Sequence, residues 1–326
     1  MKLPRRTFLQ VAGAAAVAPA FLRAATAESY PSRAITMIVP FPAGGGTDAV
    51  ARLLAERMKE SLGQPIIIEN VSGANGSIGV GRLARAKPDG YTIDLANQGA
   101  HVLNAALYSL PYDVINDFEP ISPVVAIPVV LFAKKTIPAN DLNEFVIWLK
   151  ANPNKAAAGI ITAEIHLITA ILQKETGTQF TFVPYRGAAP AIQDLAAGHI
   201  EMLLNSLVPL PLVRAGSIKA YAVTGDTRLP AASDIPTFAE MGLPALSYSG
   251  WFGCFAPRGT PKDIIAKLNA AAVGALADPA VRSRIADLGM DILPRERQTP
   301  EALGALVKAD AEKWWPLMKE LGIKAE

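Results

Sequence analysis

Short apolar runs alternate with amphipathic stretches along most of this chain, and they do so in two separate series. "AITMIVPF" reads as a strand, and residues 47–62 follow as a helix with Val50, Leu53, Leu54 and Met58 on one face. "GQPIIIENV", "GSIGVGRLARAKPDG" and "YTIDLAN" continue as strand, short helix and strand. The unbroken apolar core of "GQPIIIENV" predicts burial on both faces of a parallel sheet. A second series then runs through "PVVLFAKK", "ANDLNEFVIWLKANP", "KAAAGII", "IHLITAILQKETG", "FTFVPYRG", "AAPAIQDLAAG", "HIEMLLNSL" and "IKAYAVTG". Strands separated by helices pair in parallel, because the crossover needs a helix's length of chain. Three closing helices are predicted from Thr260-Pro261, Asp278-Pro279 and Thr299-Pro300, each a side-chain cap followed by proline at the first helical position. At 326 residues the chain exceeds what one core usually organises, so the expectation is α/β with two domains. No fixed-period repeat suggests a solenoid.

The N-terminus reads as a targeting segment. Arg5 and Arg6 precede an Ala/Val-rich run, no acidic residue occurs before Glu28, and Ala25 and Ala27 offer a small-residue cleavage site. Residues 1–27 are therefore expected to be a twin-arginine (Tat) signal, with export to the periplasm. Their removal takes Lys2, Arg5, Arg6 and Arg23 and leaves 27 basic against 29 acidic residues, so the precursor's +2 belongs to its signal. That balance argues against nucleic acid as a partner. No later apolar run approaches the length of a membrane span. Cys254 is the one cysteine, which excludes an internal disulfide and a cysteine-cluster metal site.

Residues 38–54, "IVPFPAGGGTDAVARLL", pose the sharpest question, because a strand ends on three consecutive glycines and feeds directly into a helix. Bare backbone at a helix N-terminus offers N–H groups and the positive end of the dipole to an anion. A tight turn capped by Thr47 or Asp48 is an equally good reading of these residues alone. Asp48 would repel an anion unless turned into the helix as a cap, which is the expectation. Gly46 is followed by Thr47 and Asp48 rather than Lys-Ser/Thr, so this is no phosphate loop. Nor do the glycines of "GSIGVG" stand in dinucleotide order, and "NGSIG" lacks the first glycine of a hydrolase elbow.

"VPFPAGGGTDAVARLLAERM", "PIIIENVSGANGSIGVGRLARAKPDGYTI", "LYSLPYDVINDFEPIS", "VPYRGAAPAIQDLAAGHIE", "IKAYAVTGDTRLPAASDIPTFAEMGLP" and "GWFGCFAPRGTP" together resemble the Bug family, the solute-binding receptors of tripartite tricarboxylate transporters. The likeness covers residues 30–323. It implies a type 2 periplasmic-binding-protein fold: two α/β domains, with a ligand cleft between them. The implied boundaries are 28–127 for the first part of domain I, 128–248 for domain II and 249–326 for the rest of domain I. It further implies that the loop over 41–48 holds a ligand carboxylate through backbone amides, which assigns Ala43, Gly44, Gly45 and Thr47, with Phe41 shaping the pocket and Asp48 beside it. Asn97 and Gln98 match the family's third loop. Across the cleft Tyr185, Arg186 and Gly187 stand at a strand end, where Arg186 could meet a second carboxylate, or be an ordinary surface arginine.

Two departures bear on the ligand. The family's Ser/Gly-rich loop reads here Gly159-Ile-Ile-Thr-Ala-Glu-Ile-His166, leaving Thr162 as the nearest hydroxyl and adding Glu164 where an anion's far end would lie. Asn205 stands where aspartate is common. A less charged, bulkier or partly aromatic carboxylate than citrate is the expectation. His101, His166 and His199 lack metal-ligand spacing and read as hydrogen-bonded structural residues, while Trp314, Trp315 and Met202 read as core. The implied mechanism is hinge closure about segments 121–128 and 233–249, in a monomer without a cofactor that delivers its ligand to a membrane permease. Two rivals are a receptor for a signalling partner and an exported hydrolase or isomerase. The second lacks a nucleophile or acid/base pair with recognisable spacing.

Overall fold

A computed structural model describes residues 30–206 and 209–323, so the signal reading of 1–27 lies outside the described residues. The first lobe opens with β1 (Ile35–Val39), α1 (Gly46–Leu62), β2 (Ile66–Asn70), α2 (Ser77–Ala84) and β3 (Thr92–Asn97). A π turn over Gly99–Leu103 leads into the short helix α3 (Asn104–Leu107), and β4 (Phe118–Pro128) completes this passage. The second lobe comprises β5 (Val130–Lys134), α4 (Leu142–Ala151), β6 (Ala157–Ile160), α5 (Ala163–Thr176), β7 (Thr181–Pro184), α6 (Ala188–Ala197), β8 (Met202–Asn205), α7 (Leu210–Arg214) and β9 (Ile218–Val223). The chain then returns to the first lobe through β10 (Ser249–Pro257), α8 (Lys262–Ala277), α9 (Pro279–Asp287), β11 (Asp291–Ile292) and α10 (Pro300–Glu320).

The strands form two sheets, ordered β11-β4-β10-β3-β1-β2 and β7-β6-β8-β5-β9. In the first, β1 lies parallel between β2 and β3, with Met37 opposite both Ile68 and Ile93. In the second, β6 lies parallel between β7 and β8. Local chemistry explains the helix ends. Asp141 accepts the Glu144 amide at the head of α4, Asp278 and Thr299 cap α9 and α10, and left-handed glycines at 63, 177 and 198 close α1, α5 and α6. Along α1, Val50, Ala51, Leu54, Ala55 and Met58 are buried at helical spacing and face the sheet and α8.

Three expectations need correction. β2 is the edge of its sheet, and Ile67 is 56% exposed, because an apolar run reports β propensity but not how many neighbours the strand finds. Thr260 does not cap α8. Its hydroxyl donates to the Pro257 carbonyl at 2.7 Å, closing the turn that leaves β10, and α8 has no side-chain cap. Segment 121–128 is not a free crossing: it is most of β4, paired with β10.

The chain crosses between lobes within a few residues. Pro128 ends β4 opposite Ser249, which begins β10, and Val129 alone separates β4 from β5. The return runs over 224–248. Thr224 ties the two passages together: its amide donates to the Val129 carbonyl at 2.8 Å, and its Oγ1 accepts the Val129 amide at 2.9 Å. Its carbonyl accepts the Tyr248 amide at 2.9 Å. One apolar cluster passes beneath this joint, with Ile38, Val80 and Leu103 from the first lobe and Leu131, Leu167 and Ile168 from the second. Thr224→Val keeps the volume but orphans the buried Val129 amide. Urea unfolding should show a loss of about 1–3 kcal/mol, and an unchanged midpoint would mean that this bond does not hold the joint.

Candidate functional site

In each lobe the parallel strands β1–β3 and β6–β8 point their carboxyl ends the same way, so the loops leaving them and the N-termini of the following helices collect at one edge. The two edges face each other across a cleft of about 750 Å³. The first lobe lines it with residues 40–42 after β1, residues 72–76 after β2, and Leu107 and Tyr108. The second supplies residues 160–163 and His166 after β6, and residues 184–187 after β7. The walls are mixed, with Phe41, Leu107, Ile160 and Ile161 giving apolar surface beside the hydroxyls of Tyr108 and Tyr185.

Charge in this cleft is sparse. Arg186 is exposed at the mouth, supplies the one lysine or arginine among the described lining residues, and makes no ion pair among the described residues. Helices α2 and α6 both begin at the cleft, preceded by Gly76 and Gly187, and neither start has a side-chain cap. The first amides of α2 already turn onto the preceding loop, Ser77 onto the Ala74 carbonyl and Ile78 onto that of Gly73, so it is the start of α6, in the same lobe as Arg186, that adds positive potential beside the guanidinium. Tyr185 donates to Asp194 at 2.7 Å; burial and that hydrogen bond push its phenol up to about 12, so it stays a neutral donor and acceptor.

At the inner end the second lobe reaches into the first. Glu164, in the first turn of α5, accepts a hydrogen bond from Asn97 Nδ2 at 2.7 Å. Its carboxylate packs on Gly99 so closely that a Cβ there would lie 2.6 Å from it. Loss of water holds its carboxyl above the usual range, against the pull of hydrogen bonds from its own amide, Thr162 and the Gly99 backbone. The residual space, bounded by Phe41, Asn75, Asn97, Ala100 and Thr162 among others, is about 10 Å³. The π turn that presents Gly99 is anchored from below, where His101 Nε2 pairs with Asp94 Oδ2 at 2.9 Å with both side chains fully buried, and the imidazole stacks on Phe255 at 3.8 Å.

Of the residues expected from sequence, Phe41, Thr162, Tyr185, Arg186 and Gly187 line the cleft, and Asn97 lies at its inner end. Ala43, Gly44 and Gly45 are exposed and, like the buried Thr47, lie outside its lining. The Gly44 amide, expected to grip the ligand, instead donates to Asp48 Oδ2 at 2.9 Å. Asp48 is turned inward, as a cap would be. It reaches back past the first residue of the turn to Gly44 and is clamped by Arg52 Nε at 2.9 Å and Asn70 Nδ2 at 3.0 Å. Gln98 is buried, donates to Asp310 at 2.6 Å and accepts from the Tyr248 hydroxyl, so it serves the joint rather than the cleft. Asn205 ends β8, is buried, and does not line the cleft. The remaining polar readings stand: Trp314 is buried with its indole on Asp310, and His199 meets Asp194 on the surface. His166, read as structural, lies in the cleft wall beside Phe182.

The sequence reading missed the loop over 72–76. Gly73, Ala74, Asn75 and Gly76 all have positive φ, a left-handed run that two non-glycine residues adopt only under constraint. Asn104 supplies part of it by donating to the Asn75 carbonyl at 2.9 Å, and Asn75 in turn donates to Tyr108 at 3.0 Å. The signal was present in "GANG". Gly79 then lets α2 lie against Pro40 and the Val71 carbonyl, which a Cβ would meet at 2.7–2.8 Å. The glycines of "GSIGVG" are a packing device.

Two α/β lobes joined by a double crossing, with a cleft at the carboxyl ends of their parallel strands, define the periplasmic-binding-protein class. Residues 50–323 match the model of the tripartite tricarboxylate transporter family receptor, and the chain belongs to that family. Among solved structures it is similar to BugD, a periplasmic binding protein, at 38% identity, covering 90% of this chain and 100% of that one with a TM-score of 0.79. It is also similar to MatC from Rhodopseudomonas palustris with bound malate, at 37% identity, 88% and 99% coverage and a TM-score of 0.79. Rpa4515 of R. palustris, solved with adipate, is 32% identical over 90% and 98% of the two chains, with a TM-score of 0.80.

The Asp48 clamp has a measurable signature. Burial by itself would raise this carboxyl, but Arg52, the Gly44 amide and Asn70 bring it down to about 2 from 3.8. A depressed carboxyl contributes stability that is complete above about pH 4 and is lost as pH falls through about 2. Asp48→Asn should therefore be less stable by about 2 kcal/mol at pH 7, with the gap narrowing below pH 4 in urea titrations. A gap that persists undiminished to about pH 2 would rule out the charge as its source.

Proposed function

We propose that this chain is an exported, monomeric receptor that captures a small organic acid between its lobes and delivers it to the membrane permease of a tripartite tricarboxylate transporter. The observation that carries the reading is Arg186, which makes no ion pair among the described residues, beside the uncapped start of α6 at the cleft. An acid group placed there gains a charge-assisted fork from the guanidinium and the N–H groups at the start of α6. Malate and adipate, the ligands of two similar structures, are both carboxylates. Thr162, Tyr185, Gly187, Asn97 and Phe41 complete the pocket in this reading, which asks no catalytic step of them.

Closure follows from the joint. A ligand that touches both lobes stabilises the arrangement in which both sets of contacts exist, and only its difference in affinity for the two arrangements moves the equilibrium. The lobes in this reading are 28–127 with 249–326, and 128–248, pivoting at Val129 and within 224–248. The twin-arginine signal over residues 1–27 and a periplasmic location belong to the same proposal.

The test is a thermal-shift and calorimetry panel of mono-, di- and tricarboxylates, aromatic acids and amino acids, with mass spectrometry of whatever co-purifies. A true ligand at a hundred times its Kd should add about 2.7 kcal/mol to stability. Arg186→Gln should weaken that ligand by roughly 10–100-fold while leaving the unliganded melting temperature unchanged, since Arg186 makes no ion pair among the described residues. Melting curves that stay flat across the panel would remove the receptor reading.

A further inference from the structure

The start of α5 is built to receive an acid group, and it already has one. Thr162 caps the helix, Ala163 and Thr162 line the cleft, and the positive end of the helix points at its inner wall. The acid group is the protein's own. Glu164 folds back onto its own amide, takes the Thr162 hydroxyl, and crosses to Asn97 and Gly99 of the opposite lobe. Gly99 is the residue that permits this, since any side chain there would overlap the carboxylate.

We propose that Glu164 is a specificity-determining residue that stands in for a second ligand carboxylate, so that this receptor selects acids with one carboxylate and a neutral or hydrogen-bond-donating far end. The inference rests on the carboxylate-receptor reading and narrows its ligand class. The physical argument is charge placement along the cleft. Arg186 holds the mouth, and the described lining contains no other lysine or arginine that could separate a second anion from Glu164. A dicarboxylate anchored on Arg186 would push its distal charge toward an enclosed carboxylate whose donors are already engaged. Like charges brought together in a site with little water are strongly disfavoured. A hydroxyl or ammonium at the same point would instead donate to Glu164, and an apolar end would rest on Phe41, Leu107 and Ile161.

Glu164 also links the lobes, because its hydrogen bond to Asn97 crosses between them beside the small void behind Thr162 and Ala163, which also line the cleft. Selection and closure thus share one side chain: a far end that donates to Glu164 adds to an existing bridge, whereas one that repels it opens the bridge.

The experiment compares diacids, ω-hydroxy acids, ω-amino acids and plain monoacids of equal length, over chains of about four to eight carbons, by calorimetry on the full mature chain and on Glu164→Gln. The wild type is expected to favour an ω-hydroxy or ω-amino acid over the diacid of equal length by roughly tenfold or more, and Glu164→Gln to reduce that ratio by at least as much. Glutamine keeps an acceptor for Asn97 and removes the charge. A wild type that binds the diacid as well as or better than its ω-hydroxy counterpart overturns the inference while leaving the carboxylate receptor intact, and this arm needs no variant. An unchanged ratio in Glu164→Gln overturns it too. Acids of every kind failing on both proteins would overturn the receptor reading with it.

Discussion

Everything in the cleft depends on β4 and β10 running side by side. They are antiparallel neighbours through the first sheet, and at one end both continue into the second lobe, from Pro128 and from Ser249 directly opposite. Thr224 then bonds to Val129 and Tyr248, so the two crossing passages are held as one narrow strip. A strip of that kind fixes which edges of the two sheets meet and still permits rotation about itself. The edges that meet are the carboxyl ends of β1–β3 and β6–β8, where each lobe exposes loops and helix starts. The chemistry of the site is a consequence of strand direction before it is a consequence of any side chain.

Helix starts favour anions, yet two of the four at this edge are closed by the protein's own carboxylates. Asp48 closes the loop before α1, with Arg52 and Asn70 locking it, and Glu164 closes the start of α5. These carboxylates are not equivalent. Asp48 is held by a guanidinium and is driven well below the usual range, so its role is to stiffen a turn. Glu164 has only neutral donors and sits above the usual range, against a void of about 10 Å³ that shares Phe41, Asn75, Thr162 and Ala163 with the cleft wall. The first amides of α2 turn onto the Ala74 and Gly73 carbonyls, so what remains open to a ligand is the start of α6 with Arg186. The asymmetry between an arginine at the cleft and a carboxylate behind its Thr162–Ala163 wall distinguishes this cleft from one with donors at both ends.

Much of the fold could be read from the residues. The alternation of apolar runs with amphipathic stretches placed β1, β3, β5 to β9 and the major helices, and the caps Asp278 and Thr299 stand where the side-chain chemistry puts them. The errors share a cause. "GQPIIIENV" reads as a central strand but lies at the edge, and 121–128 reads as a linker but is most of the longest strand among the described residues. Thr260 has a cap's identity and spends its hydroxyl on a turn. In each case a neighbour distant in sequence decided the outcome, and local pattern carries no information about distant neighbours.

The sequence by itself determined the class of fold, the family and the cast of polar groups, because periodicity, caps and ordered motifs are properties of short segments. It also singled out Glu164 and Arg186 as residues to explain. Only the tertiary structure decided their partners. The triple glycine that seemed made for a ligand has its Gly44 amide taken by Asp48, four residues on, and the left-handed loop at 73–76 became cleft wall through Asn104 and Tyr108. Glu164 met Asn97 and Gly99, more than sixty residues away, only because paired crossing strands turn two sheet edges toward each other. A backbone amide or a carboxylate has the same chemistry wherever it stands in the chain; which donor reaches which acceptor is set by how the sheets are joined.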